Sequence, residues 1–485
     1  MFCGYAFLVD ALKLSAFFPE CPTQVRTAVN RKVETPSARF VPSRMAPKTS
    51  SVIDHVLFAL KHEGIDLQIL AQALAFVDEK DLRFQIKAHP SSALVRKLGF
   101  LWEAFAGREL DGIKVSGNVV DLFDPTLYFT GPKRVNTKWR VNFNGIGDFT
   151  YCPTVRRTQA LSQERLSGIF ERARNFLEDM PPTLVERAVE WAYLSESKSS
   201  FAIERESPSG RKAERMVGLL KRLDSIGELN EEALSDIQNQ LISNPFEQAF
   251  SYRTEQNWLA NAGRGNVHNV TYVPPPPDML DELMTGFLRM LAASGQALHP
   301  VVAAAVASFG FVYLHPFMDG NGRISRCLVQ KVFVDAGILP KGAILPVSAA
   351  IEANEKAYLE ALTRFSKPCR ARWDVYFGGD YDFEFKGSPS IYRFWDATAQ
   401  AEFMASMCEE ALDVCWVQEV KWLGEFDRIR KEVEQQFDVR SSTLSLLISV
   451  GLEEGRLSKN IRAKFADKVE PELFDFIEAR LPSEV

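Results

Sequence analysis

An unbroken apolar segment near the middle of the chain constrains the fold most strongly. Residues 301–313 carry almost only apolar, small or aromatic side chains. A helix that is apolar on every side must be surrounded by protein, and this segment is too short and too rich in alanine to span a bilayer. The sequence therefore predicts a buried helix at the centre of a mainly α core, beginning at His299-Pro300 because proline is tolerated in a first helical turn.

The residues that follow concentrate chemically active side chains in one turn. Leu314 to Arg326 has the sequence LHPFMDGNGRISR, and a second helical pattern runs from Ile324 to Ala336 and stops at Gly337. A helix start exposes unpaired backbone N–H groups and a partial positive charge, which together form an anion site. The segment therefore predicts a phosphate-binding turn between two helices.

The side chains of this turn suit a nucleotide phosphate. Gly320 and Gly322 let the backbone approach a phosphate closely. Arg323 and Arg326 share one face of the first helical turn and can grip phosphate oxygens. Asp319 is an oxygen ligand suited to Mg²⁺. His315 ends the apolar helix, where an imidazole can act as a general base near neutral pH.

Two other binding loops do not fit this turn. Counted from Asp319, a calcium loop would need a ligand, a glycine and a glutamate where the chain has Arg323, Ile324 and Gln330. The phosphate loop GxxxxGK(S/T) is also absent. Each residue alone would be unremarkable, and their occurrence together in one short run favours a functional turn.

The run matches the signature HxFx(D/E)GN(G/K)RxxR without departure, and in this it resembles the Fic family. Fic enzymes typically transfer AMP from ATP to a hydroxyl of a target protein. The resemblance implies that His315 takes the proton of a Ser, Thr or Tyr hydroxyl and that Asp319 holds Mg²⁺. It also implies an anion hole and a grip on the β- and γ-phosphates, with Phe317 as the anchor of the loop; the binding residues are Gly320, Asn321, Gly322, Arg323 and Arg326.

A segment N-terminal to the signature resembles an inhibitory motif of the same family. The stretch from Ser200 to Glu204 fits (S/T)xxxE(G/N) up to the glutamate, but Arg205 stands where the motif has glycine or asparagine. The resemblance implies that Glu204 pairs with Arg326 in the place of the γ-phosphate, since a carboxylate can replace a phosphate oxygen in an arginine contact. A surface helix end with ordinary charges is the alternative interpretation.

A third element lies between these two. Residues 263–277 contain two glycines, then β-branched and aromatic residues, then four prolines, a pattern that predicts a short hairpin followed by an extended segment. In Fic proteins such a flap covers the active site and pairs with an extended target segment. The resemblance would place an unidentified target protein against Val270, Thr271 and Tyr272. A simple connecting loop is the alternative.

Composition limits the partners and the compartment. The net charge of −6 argues against a general nucleic-acid binder. Seven cysteines without a CxxC pair indicate reduced thiols and a cytoplasmic location. No segment predicts a membrane span. Asp10 and Lys13 interrupt the apolar start of the chain, so a signal peptide is not predicted.

The pattern along the 485 residues predicts five segments. Residues 1–49 are expected to be a disordered extension, and residues 50–158 an N-terminal region that is helical and then forms short strands. Residues 159–370 are expected to form a Fic-type helical core with the inhibitory helix, the flap and the signature loop. Residues 371–391 are predicted to be a linker. Residues 392–485 are predicted to be a helical or winged-helix-like module, for which DNA binding is a weaker alternative than packing or oligomerisation.

The favoured function is transfer of AMP to a protein hydroxyl, with ATP as co-substrate, Mg²⁺ as cofactor and inhibition by Glu204. In some Fic proteins the inhibitory glutamate also positions water to remove AMP, so this reverse reaction is an alternative. Transfer of UMP or a phosphate stays open, because the signature describes the phosphate grip and not the base. A non-catalytic nucleotide sensor is less favoured, since His315 and Arg323 are both present. Many Fic proteins dimerise, which leaves a homodimer open.

Overall fold

Helices dominate the secondary structure. The computed structural model describes residues 1–207, 210–242, 248–261, 266–295 and 297–482. It is 56% helical with a few small sheets, which confirms the predicted mainly α fold class.

The N-terminal residues differ from the disordered extension predicted for residues 1–49. They form a small sheet of order β1-β2-β4-β3 and one helix: β1 (Phe2–Cys3), α1 (Tyr5–Ala11), β2 (Thr23–Val25), β3 (Val33–Glu34) and β4 (Arg39–Val41). The apolar side chains of α1, among them Tyr5, Leu8 and Val9, are buried in a shared core. Burial of these side chains orders a segment whose overall composition resembles that of a disordered chain.

The next region contains four helices followed by three short strands. The elements are α2 (Val52–His62), α3 (Leu67–Ala73), α4 (Glu79–Ala88), α5 (Ala93–Ala106), β5 (Val120–Asp121), β6 (Arg134–Asn136) and β7 (Val141–Phe143). Each of the four helices begins at a serine or aspartate whose side chain accepts a hydrogen bond from a backbone N–H of the first turn. The strands form one sheet of order β5-β7-β6.

The helical core that positions the site contains the longest helices. Its elements are α6 (Gln163–Glu178), α7 (Pro182–Ile203), α8 (Gly210–Leu220), α9 (Glu231–Leu241), β8 (Leu259–Ala260), β9 (Val270–Tyr272), α10 (Pro277–Ser294), α11 (Pro300–Leu314), α12 (Asn321–Asp335), α13 (Val347–Ala353) and α14 (Glu355–Arg370). In α11, every residue from Val301 to Leu314 is buried. The helix begins at the predicted position, with the side chain of His299 accepting a hydrogen bond from the N–H of Val301.

Residues predicted to be a linker, 371–391, instead contain an antiparallel hairpin. Its strands are β10 (Trp373–Phe377) and β11 (Tyr381–Phe385). Trp373 packs with Val270 and Val273 beside β9, while Asp374 and its partner Glu384 are exposed. Gly378 and Gly379 lie in the turn, and the flanking alternation of apolar and acidic residues is that of a half-buried strand.

The C-terminal residues are helical. The elements are α15 (Ser390–Arg393), α16 (Thr398–Glu410), α17 (Val417–Glu434), α18 (Ser441–Glu454), α19 (Lys459–Phe465) and α20 (Pro471–Glu478). Side chains of α16 such as Met404 lie in the same apolar core as α11, whereas the end of α17 and the last three helices share a separate small core. Between residues 392 and 482 no strand is present, so the helical form of the predicted module is the one observed and a wing is not.

Across the described residues, none of the helices combines the length and the apolar character that crossing a bilayer would require.

Candidate active site

The loop between α11 and α12 is held by its own side chains. His315 ends α11 in a left-handed conformation with φ of 51°, and Gly320 begins α12 with φ of 86°. Asn321 accepts from the N–H of Phe317 at 3.0 Å and donates to its carbonyl at 2.7 Å. Phe317 is fully buried. The Asn321 side chain, assigned to an anion hole by resemblance, thus binds the loop backbone.

A buried arginine outside the signature supports the same loop. Arg253 donates from Nε to the carbonyl of His315 at 2.9 Å and from its backbone N–H to that of Pro316 at 2.8 Å. Its Nη2 donates to the carbonyl of Pro275, next to the flap. Burial lowers the pKa of Arg253 to about 10. Sequence reasoning missed this residue, since no spacing pattern links it to a turn 62 residues later.

His315 presents a neutral imidazole to the site. Its Nδ1 lies 3.1 Å from the carbonyl of Val312. Because a carbonyl only accepts, Nδ1 carries the proton and Nε2 keeps its lone pair. The pKa of His315 is lowered to about 4, mainly by burial and also by the charge of Arg253, against the opposite effects of the Val312 hydrogen bond and of the charges of Glu204 and Asp319. The ring is therefore a proton acceptor at neutral pH.

Arg326 is enclosed by residues of α7 and its end. Its side chain is 2% exposed. Nε donates to the hydroxyl of Ser200 at 2.8 Å, and Nη2 donates to the carbonyl of Ser200 at 2.6 Å and to Oε1 of Glu204 at 2.9 Å. The structure thus brings together the three residues that the resemblance linked, although they are up to 126 positions apart in the chain.

The carboxylate of Glu204 lies against the first turn of α12. A Cβ atom added to Gly322 would come 2.0 Å from Oε1 of Glu204, so only glycine leaves room for the carboxylate there. Unpaired N–H groups and the helix dipole favour an anion at this position. A carboxylate therefore occupies the place suited to a phosphate.

Arg323 is equally buried and has different partners. Its Nη2 donates to both carboxylate oxygens of Asp319, at 3.2 and 3.0 Å. Its Nη1 donates to Oε2 of Glu206 at 3.3 Å and to the carbonyl of Leu241 at 3.4 Å, and the guanidinium lies over the ring of Phe201. Glu206 was not singled out from the sequence, because the inhibitory motif ends before it.

The end of α7 explains how the chain tolerates Arg205. The N–H of Arg205 donates to the carbonyl of Ala202, and that of Glu206 donates to the carbonyl of Phe201. Arg205 has φ of 58°. These are the hydrogen bonds and the left-handed residue of a Schellman motif, in which glycine is usual. Arginine therefore adopts the conformation that glycine or asparagine would take at lower cost.

A buried carboxylate holds α7 in place two turns before Glu204. Glu196 is 1% exposed and accepts from the backbone N–H and the hydroxyl of Ser348, both at 2.7 Å. Burial raises the pKa of Glu196, and the hydrogen bonds from Ser348 act in the opposite direction. The bonds join α7 to the first turn of α13.

The predicted flap forms a short antiparallel hairpin of β8 and β9. Val270 and Tyr272 are buried, and the hydroxyl of Tyr272 donates to the carbonyl of Tyr313 at the end of α11. Only Thr271, of the three residues predicted to meet a target, has an exposed side chain. Gly263 and Gly265, which suggested the hairpin, lie outside the described residues.

The residues around the loop fit a magnesium ion that arrives with a nucleotide. Mg²⁺ is usually held by one or two carboxylates, with phosphates and water supplying the other ligands. The Asp319 side chain is 44% exposed and has both oxygens directed toward Arg323. No group of three or more metal-binding side chains exists in the described part of the chain, so Asp319 would act together with phosphate oxygens.

Comparison with known sequences shows a similarity to one family over this region. Residues 228–333, which contain α11 and nearly all of α12, match the Fic/DOC family. The chain is 44% identical over 78 residues to "Protein adenylyltransferase Fic" of Drosophila yakuba, covering 16% of this chain and 16% of that protein. It is 40% identical over 70 residues to the protein of the same name from Nematostella vectensis, covering 14% and 16%. The chain thus spans 16% of the length of these curated relatives.

Solved structures of low similarity carry the same family name. A Fic family protein from Desulfovibrio desulfuricans G20 aligns with a TM-score of 0.41 and 19% identity, over 67% of this chain and 89% of its own. Fic-1 from C. elegans aligns with a TM-score of 0.37 and 14% identity, over 78% and 90%. Residues 228–333 of this chain are thus similar to the Fic/DOC family.

Proposed function

We propose that this protein transfers AMP from ATP to a hydroxyl group of a target protein and that Glu204 inhibits the transfer. The observation that carries the proposal is the position of a carboxylate at the start of α12, between Arg326 and Gly322. A helix start of this kind favours an anion, and the imidazole of His315 lies on the loop that precedes it. The name of the relatives, which match this chain over 70 to 78 residues, supports the same reaction.

The reaction is a displacement at the α-phosphorus of ATP. The oxygen of a Ser, Thr or Tyr hydroxyl bonds to the α-phosphorus, and the bond from that phosphorus to the bridging oxygen of the β-phosphate breaks. AMP is then joined to the target, and pyrophosphate leaves. The hydroxyl proton passes to Nε2 of His315, which the Val312 hydrogen bond leaves free to accept it.

Arg323 and Arg326 would neutralise the phosphates that leave as pyrophosphate. Both guanidinium groups are buried to 2% exposure, and charge stabilisation by donors already in place is most effective where water is excluded. Asp319 would hold Mg²⁺, which supplies additional positive charge at the phosphate oxygens.

Inhibition follows from competition for one site. The Glu204 carboxylate accepts a hydrogen bond from Arg326 and fills the space at Gly322. A triphosphate whose γ-phosphate binds Arg326 must therefore displace this carboxylate. When the binding-competent state is a small fraction of the population, the apparent affinity falls by that fraction. Removing the carboxylate should therefore raise both ATP binding and transfer.

Labelling with α-labelled ATP and Mg²⁺ tests the proposal. Wild-type protein should label itself or the proteins of a lysate weakly. Glu204→Gly should label them at least about tenfold more strongly than wild type. The double variant Glu204→Gly/His315→Ala should show no labelling. His89→Ala, which changes an exposed histidine at the end of α4, is the matched control and should label as its parent does. Absence of transfer by folded Glu204→Gly protein from any nucleoside triphosphate would overturn the proposed reaction.

A further inference from the structure

Both arginines of the proposed phosphate grip are occupied by carboxylates from one turn. Glu204 binds Arg326, and Glu206 binds Arg323. The two glutamates lie two positions apart, on either side of Arg205. The pair of Glu206 with Arg323 lies beyond the inhibitory motif, and Glu204 takes no part in it. It is therefore a contact separate from that of Glu204 with Arg326.

The conformation of Arg205 makes the two contacts simultaneous. Its φ of 58° reverses the chain at the end of α7, and the N–H of Glu206 returns to the carbonyl of Phe201. In a continued helix, residues two apart would point in divergent directions. Here the Schellman turn places both side chains on the same side, facing the first turn of α12.

Glu206 takes a donor of Arg323 that a phosphate would need. Nη1 of Arg323 is shared between Glu206 and the carbonyl of Leu241, and Nη2 is directed to Asp319. Phe201 covers the guanidinium. Because the arginine is buried and surrounded, an incoming phosphate oxygen can reach Nη1 only if the Glu206 carboxylate moves away.

A second cation gives Glu206 an alternative position. Lys212 of α8 donates to the same oxygen, Oε2, at 3.4 Å. The Glu206 side chain is 34% exposed, so it has room to move. Glu206 can therefore release Arg323 while it remains paired with Lys212, which lowers the cost of opening.

We propose that Glu206 is a second intramolecular competitor for the phosphate site, acting on Arg323 independently of the action of Glu204 on Arg326. The proposal deepens the proposed function, and it rests on that function only in taking a nucleoside triphosphate as the competing ligand. Each of the two arginines is thus blocked by a different carboxylate. Removal of Glu204 alone then leaves the site partly inhibited.

The size of the effect follows from the exposure of the pair. Partly exposed ion pairs are screened by water, so each contributes little free energy. The contribution changes an equilibrium constant by about twofold to fivefold. We therefore expect Glu206→Ala to tighten ATP binding by about twofold to fivefold, both in the wild-type background and in the Glu204→Gly background.

Calorimetric titration of the full chain tests this, with ATP and inorganic tripolyphosphate as the probes. Four proteins form a cycle: wild type, Glu206→Ala, Glu204→Gly and the double variant. Glu206→Gln keeps the shape without the charge and should reproduce most of the gain. Glu190→Gln is the matched control, because Glu190 lies on α7 but pairs with Lys221, and it should leave affinity unchanged.

The outcomes separate this inference from the proposed function. Equal ATP affinity with and without Glu206, in a Glu204→Gly protein that binds ATP, would overturn the role of Glu206 alone. If Glu190→Gln raised ATP affinity as much as Glu206→Ala does, the change in net charge would explain the higher affinity. That result would also overturn the proposed role of Glu206. If none of the variants binds ATP or tripolyphosphate, the phosphate site itself is wrong, and the proposed function fails with it.

Discussion

The carboxylate of Glu204 occupies the space that a side chain on Gly322 would need. A Cβ at position 322 would lie 2.0 Å from Oε1 of Glu204, and the same oxygen accepts a hydrogen bond from Arg326 at 2.9 Å. A glycine at 322 thus serves the ion pair observed here, and under the proposed function it would also allow the close approach of a phosphate. Both demands would fall on one residue because a helix start suits a carboxylate and a phosphate alike.

The first prediction is an energetic coupling between these two residues. Gly322→Ala should be more favourable for folding in the Glu204→Gly background than in wild type, by about 0.5–1 kcal/mol, because the new methyl group forces Glu204 away from Arg326 only when the glutamate is present. Denaturant unfolding of the four proteins measures the coupling. Gly218→Ala in α8, where a Cβ meets nothing within 4 Å, should change stability equally in both backgrounds.

The second prediction concerns Arg205, which has φ of 58°. Asparagine adopts this conformation with less strain, so Arg205→Asn should stabilise the fold by about 0.5–1 kcal/mol. It should also strengthen the Schellman turn and lower labelling below that of wild type. Chemical denaturation checks the first effect. Arg211→Asn, which removes an exposed arginine at the start of α8, should show neither change; a less stable Arg205→Asn protein would contradict the strain argument.

The third prediction is the pH dependence set by His315. Burial lowers its pKa from 6.5 to about 4, so between these values the folded protein binds this proton less readily than the unfolded chain. The stability linked to His315 is therefore full above pH 6.5 and declines as the pH falls toward 4. Between pH 6.5 and 4, the free energy of unfolding should therefore fall less in His315→Asn than in wild type. His55 and His299, whose pKa values burial also lowers to about 4, account for the slope that remains.

The same pKa predicts how the rate depends on pH. A base that is already neutral cannot gain activity from further deprotonation, so transfer by Glu204→Gly should stay level as the pH falls from about 8 to about 6. Labelling at saturating ATP measures this. A loss of half the rate near pH 6.5, the ordinary value for histidine, would contradict the buried, neutral imidazole.

The fourth prediction concerns the buried Glu196. In Glu196→Gln the amide oxygen can still accept from the N–H of Ser348, and the NH₂ group can only donate to its hydroxyl; the loss of the two hydrogen bonds to a carboxylate should cost about 1 kcal/mol. The looser attachment of α7 to α13 should raise labelling, because Glu204 lies at the end of the same helix. Glu186→Gln, an exposed carboxylate on α7, is the control for both readouts. Unchanged stability of Glu196→Gln would exclude Glu196 as an anchor.

Local patterns predicted the elements that carry the site. The apolar run from Val301 to Tyr313 is buried on all sides, since uniform apolarity is a property of the segment itself. The glycine-containing turn and the helix that it opens follow from neighbouring residues in the same way. The flap hairpin was also predicted locally, from β-branched and aromatic residues beside turn residues.

Composition was a poor guide where order depends on distant partners. Residues 1–49 differ from the disordered extension that was predicted because α1 is buried against helices further along the chain, and Arg372 donates to the carbonyls of Ser15 and Ala16 across more than 350 positions. The hairpin at Trp373–Phe385 lies within the residues predicted to be a linker, and its local signal is the alternation of apolar and acidic residues along both strands. Its apolar face is covered by residues near the flap.

By itself the sequence determined a buried helix, a glycine-containing turn after it and the similarity of residues 228–333 to the Fic/DOC family, because each depends on residues that are adjacent in the chain. Only the tertiary structure decided that Glu204 meets Arg326, that Glu206 meets Arg323 and that Arg253 supports the loop. These contacts join residues 62 to 122 positions apart. Their geometry depends on how the helices pack and on one left-handed residue, Arg205, at the end of α7.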